Sequence, residues 1–409
     1  MRHPWRWVAL LSGTAMASYL ARVNLSVVGE PLMHEQGLTQ AELGRIFSAF
    51  LVGYAACQIP GGVLADRWGT RRVLAVCSAW WVLATIGIAL AGWGPLAGLG
   101  VLPLLLAFRV ILGVGEAPTF PAAARGVAHW IRPAQQGRAN GIVLAAIGLG
   151  SALAPPLLTF CMTRWGWRAA VVVSAAPAVV AAFLWSLLPA PREGPVPAEP
   201  SAASGEAAHA TPVAGTSLAT RSFTLLSASY TLQGYVGYIF VFWFYLYLVQ
   251  VRKFTLLEGA FLSSLPWLLS IVSIPLGGWL SDRLAVGRMG LAWGRRAVPL
   301  AGLVAGGVLL SGGAATGSPY LAAVALALST AAVLSTEGPF WATMLAVAGK
   351  RSGTAGGIMN MGSNVGGAIS PALTPVLAAA IGWENALHVA AAVSVLAGLL
   401  WLGVVPRGR

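Results

Sequence analysis

Gly61-Gly62-Val63-Leu64-Ala65-Asp66-Arg67, followed by Arg71 and Arg72, returns further along the chain as Gly277-Gly278-Trp279-Leu280-Ser281-Asp282-Arg283, followed by Arg295 and Arg296. A shift of 216 positions superposes the two stretches. The same shift carries Gly137 to Gly353, Gly141 to Gly357, Gly150 to Gly366, Pro155 to Pro371, and Gly166-Trp167 to Gly382-Trp383. Self-similarity at one fixed offset marks a duplicated unit. The chain therefore reads as two homologous halves, and nearly everything between the landmarks is apolar.

Of 409 residues, 57% are hydrophobic, only 9% are charged and 50 are glycine, which excludes a soluble domain and makes a polytopic membrane protein the default. The apolar runs extend for about 20 residues or more without period-two alternation, so helices are expected and a membrane barrel is not. Twelve spans are expected, at 7–29, 42–65, 72–92, 96–128, 135–162, 167–188, 222–249, 257–281, 296–314, 319–347, 353–380 and 384–404. The fold class is thus all-α membrane protein, built as two pseudo-symmetric six-helix bundles at 1–189 and 221–409. Residues 190–220 between them are rich in Pro, Ala, Ser and Glu and predict a flexible linker. Paired bundles of this kind are the arrangement in which transporters place a substrate site between their halves.

The net charge of +13 invites a polyanion-binding reading, but its distribution has a simpler cause. With a cytoplasmic N-terminus, 18 of the 25 basic residues fall at cytoplasmic ends or loops: Arg2, Arg6, Arg67, Arg71, Arg72, Arg125, Arg132, Arg138, Arg192, Arg221, Arg283, Arg288, Arg295, Arg296, Lys350, Arg351, Arg407 and Arg409. Arg45, Arg164, Arg168, Arg252 and Lys253 fall outside. That bias is the positive-inside rule; it predicts both termini and the linker in the cytoplasm, and a lipid bilayer rather than nucleic acid as the partner. Cys57, Cys77 and Cys161 lie within spans and are odd in number, which points to packing residues rather than a disulfide framework or metal site. Ala15-Met16-Ala17 resembles a signal-peptide cleavage site, but cleavage there would strip the first half of the counterpart to residues 222–249, so the segment is read as span one.

Two basic residues remain, Arg22 and Arg109, both deep inside spans, as are the acids Glu116 and Glu337. A charge at such depth costs several kcal/mol and normally serves a pathway or a partner. At about 1.5 Å of rise per residue, Arg22 stands about 22 Å up span one, Glu116 about 18 Å up span four and Arg109 about 28 Å up the same span. Arg109 and Glu116 are seven residues apart, on nearly one face but too far apart for a short bond, and Arg22 lies between them in height. Tyr54 and Gln58 share a face of span two at comparable depth.

Arg109-Val110-Ile111-Leu112-Gly113-Val114-Gly115-Glu116, followed by Pro121, resembles the span-four signature of the anion:cation symporter family within the major facilitator superfamily. Tyr19-Leu20-Ala21-Arg22-Val23-Asn24-Leu25-Ser26 resembles that family's first helix, and Gly62 to Arg72 is similar to the superfamily's loop motif between helices two and three. The resemblance covers the chain apart from the linker. It implies a carrier of organic anions such as hexuronates, aldonates, phthalate, tartrate or sialic acid, without cofactor, acting as a monomer. Some members carry an aspartate where this chain has Ala21, a departure that speaks against a second protonation site and against a stoichiometry above one proton per substrate.

The residues read the same way on their own chemistry. Arg22 presents a planar, permanently charged fork matching a carboxylate, the expected anchor for an anionic substrate in a water-filled cavity. Glu116 can carry a proton; an anion that neutralises Arg22 and a proton on Glu116 favour one another, a reciprocal coupling that moves both together. The plain alternative is an internal salt-bridge set orienting spans one and four. Tyr54, Gln58 and Arg109 are further substrate candidates, Arg109 suiting an outer gate as well. In the second half Tyr235 and Tyr238 are candidates for the substrate's body, and so are Asn360 and Asn364, one turn apart on span eleven and in need of polar partners. Glu337, in a Glu-Gly-Pro context like Glu116-Ala117-Pro118 but 221 positions on, reads as a second proton site, a gate partner or a structural acid.

Gly62, Asp66, Arg67 and Arg72, with Asp282 and Arg283 in the second copy, form the expected conformational gate, Asp66 latching onto the start of span eleven in the opposite half. Gly141, Gly148, Gly150, Gly357, Gly362 and Gly366 are expected to let helices approach closely. A proton-driven exporter is the nearest rival, yet the Gly-Pro-x-x-Gly-Gly string common in such exporters is absent: span five carries Gly148-Leu149-Gly150-Ser151-Ala152-Leu153-Ala154-Pro155-Pro156 instead. The five histidines lack metal spacing and no His-Glu-x-x-His or Gly-x-Ser-x-Gly string occurs, which argues against an enzyme. The expectation is proton-coupled symport of a small organic anion across a bacterial inner membrane, sodium coupling being the alternative.

Overall fold

The computed structural model describes residues 4–189, 220–287, 289–348 and 352–405. The expected linker lies, apart from Thr220, outside the described residues. The chain divides into two compact units, Met1–Ala207 and Ala208–Arg409, and the described residues of each are almost wholly helical.

The first unit comprises α1 (Trp5–Val27), α2 (Gly29–Gln36), α3 (Gln40–Trp68), α4 (Thr70–Leu90), α5 (Val101–Glu116), α6 (Thr119–Trp130), α7 (Pro133–Ser174) and α8 (Ala176–Leu187). The second comprises α9 (Arg221–Phe242), α10 (Phe244–Leu246), α11 (Leu256–Val286), α12 (Gly290–Ala315), α13 (Pro319–Leu334), α14 (Glu337–Ala348) and α15 (Ser352–Leu400). Eight described helical segments are long and apolar enough to cross a membrane, nine if Arg221–Phe242 and Phe244–Val251, bent by 54°, make one span. Two of them run 53 and 50 residues, far beyond the roughly 20 needed for one crossing. Each is broken by a glycine in the left-handed region, Gly166 (φ 81°) and Gly382 (φ 85°). Divided there, and with α1 included, the segments lie in register with the expected spans. Large apolar side chains such as Ile59, Leu83 and Phe183 point outward, as lipid-facing surfaces require.

The duplication is written into helix ends as well as sequence. Thr39 and Glu42 form a reciprocal capping box at the start of α3, and Thr255 and Glu258, shifted by 216, form the same box at the start of α11. Arg71 donates to the carbonyls of Trp185 (2.9 Å) and Ser186 (2.5 Å) at the end of α8, while Arg296 donates to the carbonyl of Val404 beyond α15. These guanidiniums satisfy carbonyls that a helix end leaves without partners.

Candidate functional site

The closest polar contact in the first unit's interior joins α1 to the last residue of α5. Arg22 donates through Nη2 (2.5 Å) and Nε (3.1 Å) to Glu116 Oε1. The two side chains are only 2% and 0% exposed. Glu116 Oε2 is buried without a hydrogen-bond partner. The Arg22 guanidinium also donates to the Tyr19 hydroxyl at 3.2 Å and lies 4.4, 4.9 and 4.8 Å from the ring centres of Tyr19, Phe50 and Tyr54. Three aromatic faces thus hold the cation in place.

Arg109, fully buried, does not reach Glu116's side of the cluster. Both of its terminal nitrogens donate to the backbone carbonyl of Arg22, at 3.3 and 3.2 Å, and its guanidinium lies 5.0 Å from the Phe50 ring. Phe50 is therefore shared by two guanidiniums, of which only Arg22's bonds the carboxylate. With Glu116 ionised, this buried set carries one positive charge in excess. The close approach of α3 and α5 that brings Phe50 and Tyr54 here depends on Gly113, where a β-carbon would collide with the backbone of Phe50 and Tyr54. Tyr54 hydrogen-bonds Gln58, so those two candidates join the same cluster.

In this conformation the Arg22 guanidinium does not face the water-filled cavity expected from the sequence: its fork is occupied by Glu116 and its faces by rings. Arg109 is likewise engaged with backbone and carries no open donor face toward solvent.

In the second unit the candidates separate. Tyr238 donates to Asn364 Oδ1 at 3.3 Å, and Asn364 Nδ2 donates to the Asn360 carbonyl at 2.9 Å, so the amide on α15 finds a partner on α9 and another one turn back. Tyr235 instead hydrogen-bonds Thr374. Glu337 opens α14 immediately after a break at Ser335-Thr336, where it accepts from the Tyr230 hydroxyl (2.8 Å) and from Gln233 Nε2 (2.7 Å). Glu116 closes α5 just before the break at Ala117-Pro118, so both acids sit at interruptions of spans expected to be continuous. Tyr19, Phe50, Tyr230 and Gln233 are site residues that the sequence reading missed. Tyr19 is three positions before Arg22, and Tyr230 and Gln233 are three apart, spacings that put polar groups on one helix face.

The gate candidates have local partners. Asp66 accepts from Arg125 at 3.1 Å and Asp282 from Arg295, each within its own unit. Arg67 and Arg72 are exposed, Arg283 lies 5.2 Å over Trp279, and a β-carbon on Gly62 would meet nothing within 4 Å. Among the helix-approach glycines, Gly150, Gly362 and Gly366 face close neighbours, while Gly141 and Gly357 face open space. Among the described residues no group of three or more His, Cys, Asp or Glu is placed to hold a metal.

Comparison with known proteins gives a consistent setting. The family model described as Major Facilitator Superfamily matches residues 10–291 and 284–409. A probable sulfoacetate transporter of Cupriavidus necator is 33% identical over 366 residues, covering 87% of this chain and 82% of that protein. The hexuronate transporter of Bacillus subtilis is 26% identical, covering 93% and 90%. Among solved structures, a bacterial homologue of the human lysosomal transporter Spinster, in an inward-facing and occupied conformation, superposes with a TM-score of 0.79 at 19% identity over 98% of this chain and 96% of that one.

Proposed function

The chain belongs to the Major Facilitator Superfamily, and from that premise we propose that it carries a small organic anion across a bacterial inner membrane in symport with protons, its termini in the cytoplasm. The observation that carries this reading is the buried cluster of Arg22, Arg109 and Glu116, in which two permanent cations answer to one carboxylate. Relatives named for sulfoacetate and hexuronate transport support an anionic cargo.

The mechanism follows from exchange of partners on one guanidinium. A substrate carboxylate or sulfonate matches the fork of Arg22 as Glu116 does now. Once the anion takes that place, an ionised Glu116 is left in an apolar interior without its cation, which costs several kcal/mol. Taking up a proton removes that cost, so anion and proton load together. In the empty carrier Glu116 closes back on Arg22, and the pair crosses without an unpaired carboxylate. Arg109 holds the Arg22 backbone while this happens. The hydroxyl and amide of Tyr238 and Asn364 are the second half's candidate contacts. Alternation of access to the site from one side of the membrane and then the other completes the cycle.

Reconstituted protein tests this directly, in a screen over sulfonated acids, sugar acids, aromatic acids and dicarboxylates under an imposed proton gradient. Arg22→Ala abolishes binding, and Glu116→Gln retains exchange but loses gradient-driven accumulation. Uphill uptake by Glu116→Gln at the wild-type level removes Glu116 as the coupling acid. Accumulation driven by sodium alone replaces protons with sodium, and best binding by uncharged or cationic ligands returns the chain to the exporter reading.

A further inference from the structure

We propose that Glu337 is a second proton-carrying site, housed in the C-terminal unit, which loads and releases one proton per transport cycle and so brings the coupling to two protons per anion. The stoichiometry rests on the carrier reading above; the proton site itself does not.

The argument starts from the partners. Both carboxyl oxygens of Glu337 are met by neutral donors, Tyr230 O–H at 2.8 Å and Gln233 N–H at 2.7 Å. Glu116, at the matching interruption of the first unit, is met by a guanidinium. Two acids in like places therefore have unlike electrostatic settings, the pattern by which one carboxyl is kept charged and another neutral. Among the described residues no cation is paired with Glu337: of the helices packed on α14, α9 brings Tyr230 as the titratable group facing the carboxyl, and its other partner there is the neutral Gln233. Asp282 is paired with Arg295, Arg296 with the Val404 carbonyl, and Glu384 with His388. An uncompensated charge within the membrane is strongly disfavoured, so this conformation holds the proton.

The fold gives up a hydrogen bond to keep this arrangement. In the first unit Trp185 Nε1 donates to Thr14 Oγ1 at 2.9 Å. The 216 shift pairs Trp185 with Trp401 and Thr14 with Tyr230. Tyr230 turns its hydroxyl to Glu337 instead, and Trp401 Nε1 is left buried without a hydrogen-bond partner. A buried donor without a partner is unfavourable, so the turn of Tyr230 toward Glu337 is held against that cost.

Position links the proton to movement. Glu337 stands at the start of α14, and the interruption before it packs on α11 through Gly277, whose β-carbon would collide with the Ser335 carbonyl, and through Gly338 against Gly278. A span interrupted at a small-residue contact can change its bend, and doing so separates Glu337 from Tyr230 and Gln233 on α9. Release of the proton then belongs to the conformation in which that contact has opened.

Infrared difference spectroscopy of the full chain in liposomes, in H2O and D2O across a pH series, tests the site. Wild type is expected to show the carbonyl band of a protonated carboxyl that Glu337→Gln lacks, that is lost reversibly on raising pH, and whose titration is displaced by Tyr230→Phe. Absence of that band, or a band that no pH short of unfolding removes, overturns the proposal. Reversal potentials with sulfoacetate and glucuronate as probes are expected to fall from two protons per anion to one in Glu337→Gln; an unchanged value overturns the proposal while leaving Arg22 and Glu116 untouched. If wild type accumulates neither probe, the carrier reading fails by itself and the infrared titration still accepts or rejects Glu337.

Discussion

Gly61 of α3 lies against Pro118, so close that a β-carbon built on the glycine would stand 3.0 Å from the proline's Cα and Cγ. Gly277, its copy 216 positions on, lies against Ser335 in the same way. The first glycine of the repeated loop motif thus seats the interruption beside the acid in each half, Ala117-Pro118 next to Glu116 and Ser335-Thr336 next to Glu337.

Substitution at these glycines separates seating from charge. Gly61→Ala requires Pro118 to give by a few tenths of an ångström, while Gly277→Ala drives a side chain into a backbone carbonyl that cannot swing away. Both are expected to destabilise, Gly277→Ala more, in the range of about 1–3 kcal/mol seen for overpacking. Gly62→Ala meets open space and is expected to stay within about 0.5 kcal/mol of wild type or to gain slightly from helix propensity. Thermal melts in detergent decide this; equal losses at Gly61 and Gly62 would show that the contact with Pro118 has no weight.

The Arg22 and Glu116 pair has a distinctive signature in a double-mutant cycle. Arg22→Ala strands an acid that is 0% exposed, a change costing about 3–5 kcal/mol when a buried pair loses one member. Adding Glu116→Gln removes the stranded charge, so the double variant is expected to be more stable than Arg22→Ala alone. Additive losses in the melts would mean that the two side chains are not coupled.

The duplication and the helical membrane class were legible because a fixed offset and long apolar runs survive without any knowledge of packing. Gly166 and Gly382 were legible as landmarks of the duplication, each preceding a tryptophan in its own copy, and they lie between expected spans. The interruptions at Ala117-Pro118 and Ser335-Thr336 were harder, since an apolar run continues through them, although Pro118 withholds the N–H a continuing helix needs. Among the charges, Arg22, Arg109, Glu116 and Glu337 declared themselves by depth. Their aromatic neighbours did not: Phe50 is one apolar residue among many in α3, and only the approach of α3 to α5 at Gly113 puts its ring between two guanidiniums. The Asp66 contact with Arg125, 59 positions away, was not legible, because the two become neighbours only once α3 and α6 are packed.

Arg109 holds the Arg22 carbonyl with both terminal nitrogens, so if that contact is its part in the proposed cycle its variants divide by geometry rather than charge. Arg109→Lys keeps the charge but loses the fork that places two donors on one carbonyl. A loss of about 1.5–3 kcal/mol is expected for hydrogen bonds from a charged group. In uptake assays on the transported anion, the maximal rate should fall more than the apparent affinity, because Arg22 keeps its side chain but not its fixed backbone. A change in affinity alone would instead place Arg109 in contact with the anion.

Outside the spans, Glu35 on α2 accepts from Trp167 Nε1 at 2.7 Å and from the Arg168 guanidinium, just past the Gly166 break. Arg168 above all holds its carboxyl below the ordinary 4.5, with burial opposing and Trp167 assisting. As pH falls, the unfolded chain therefore takes up this proton before the folded one does, and stability rises with pH wherever the unfolded state binds more protons. The contribution is fully present above about 4.5 and is lost as pH drops through the lower folded value. Glu35 is 47% exposed, so solvent screens the pair and the effect is a modest tilt rather than a transition. Melting temperatures of wild type are expected to slope downward below pH 4.5 more steeply than those of Glu35→Gln. Parallel slopes would remove this contact as a source of acid sensitivity.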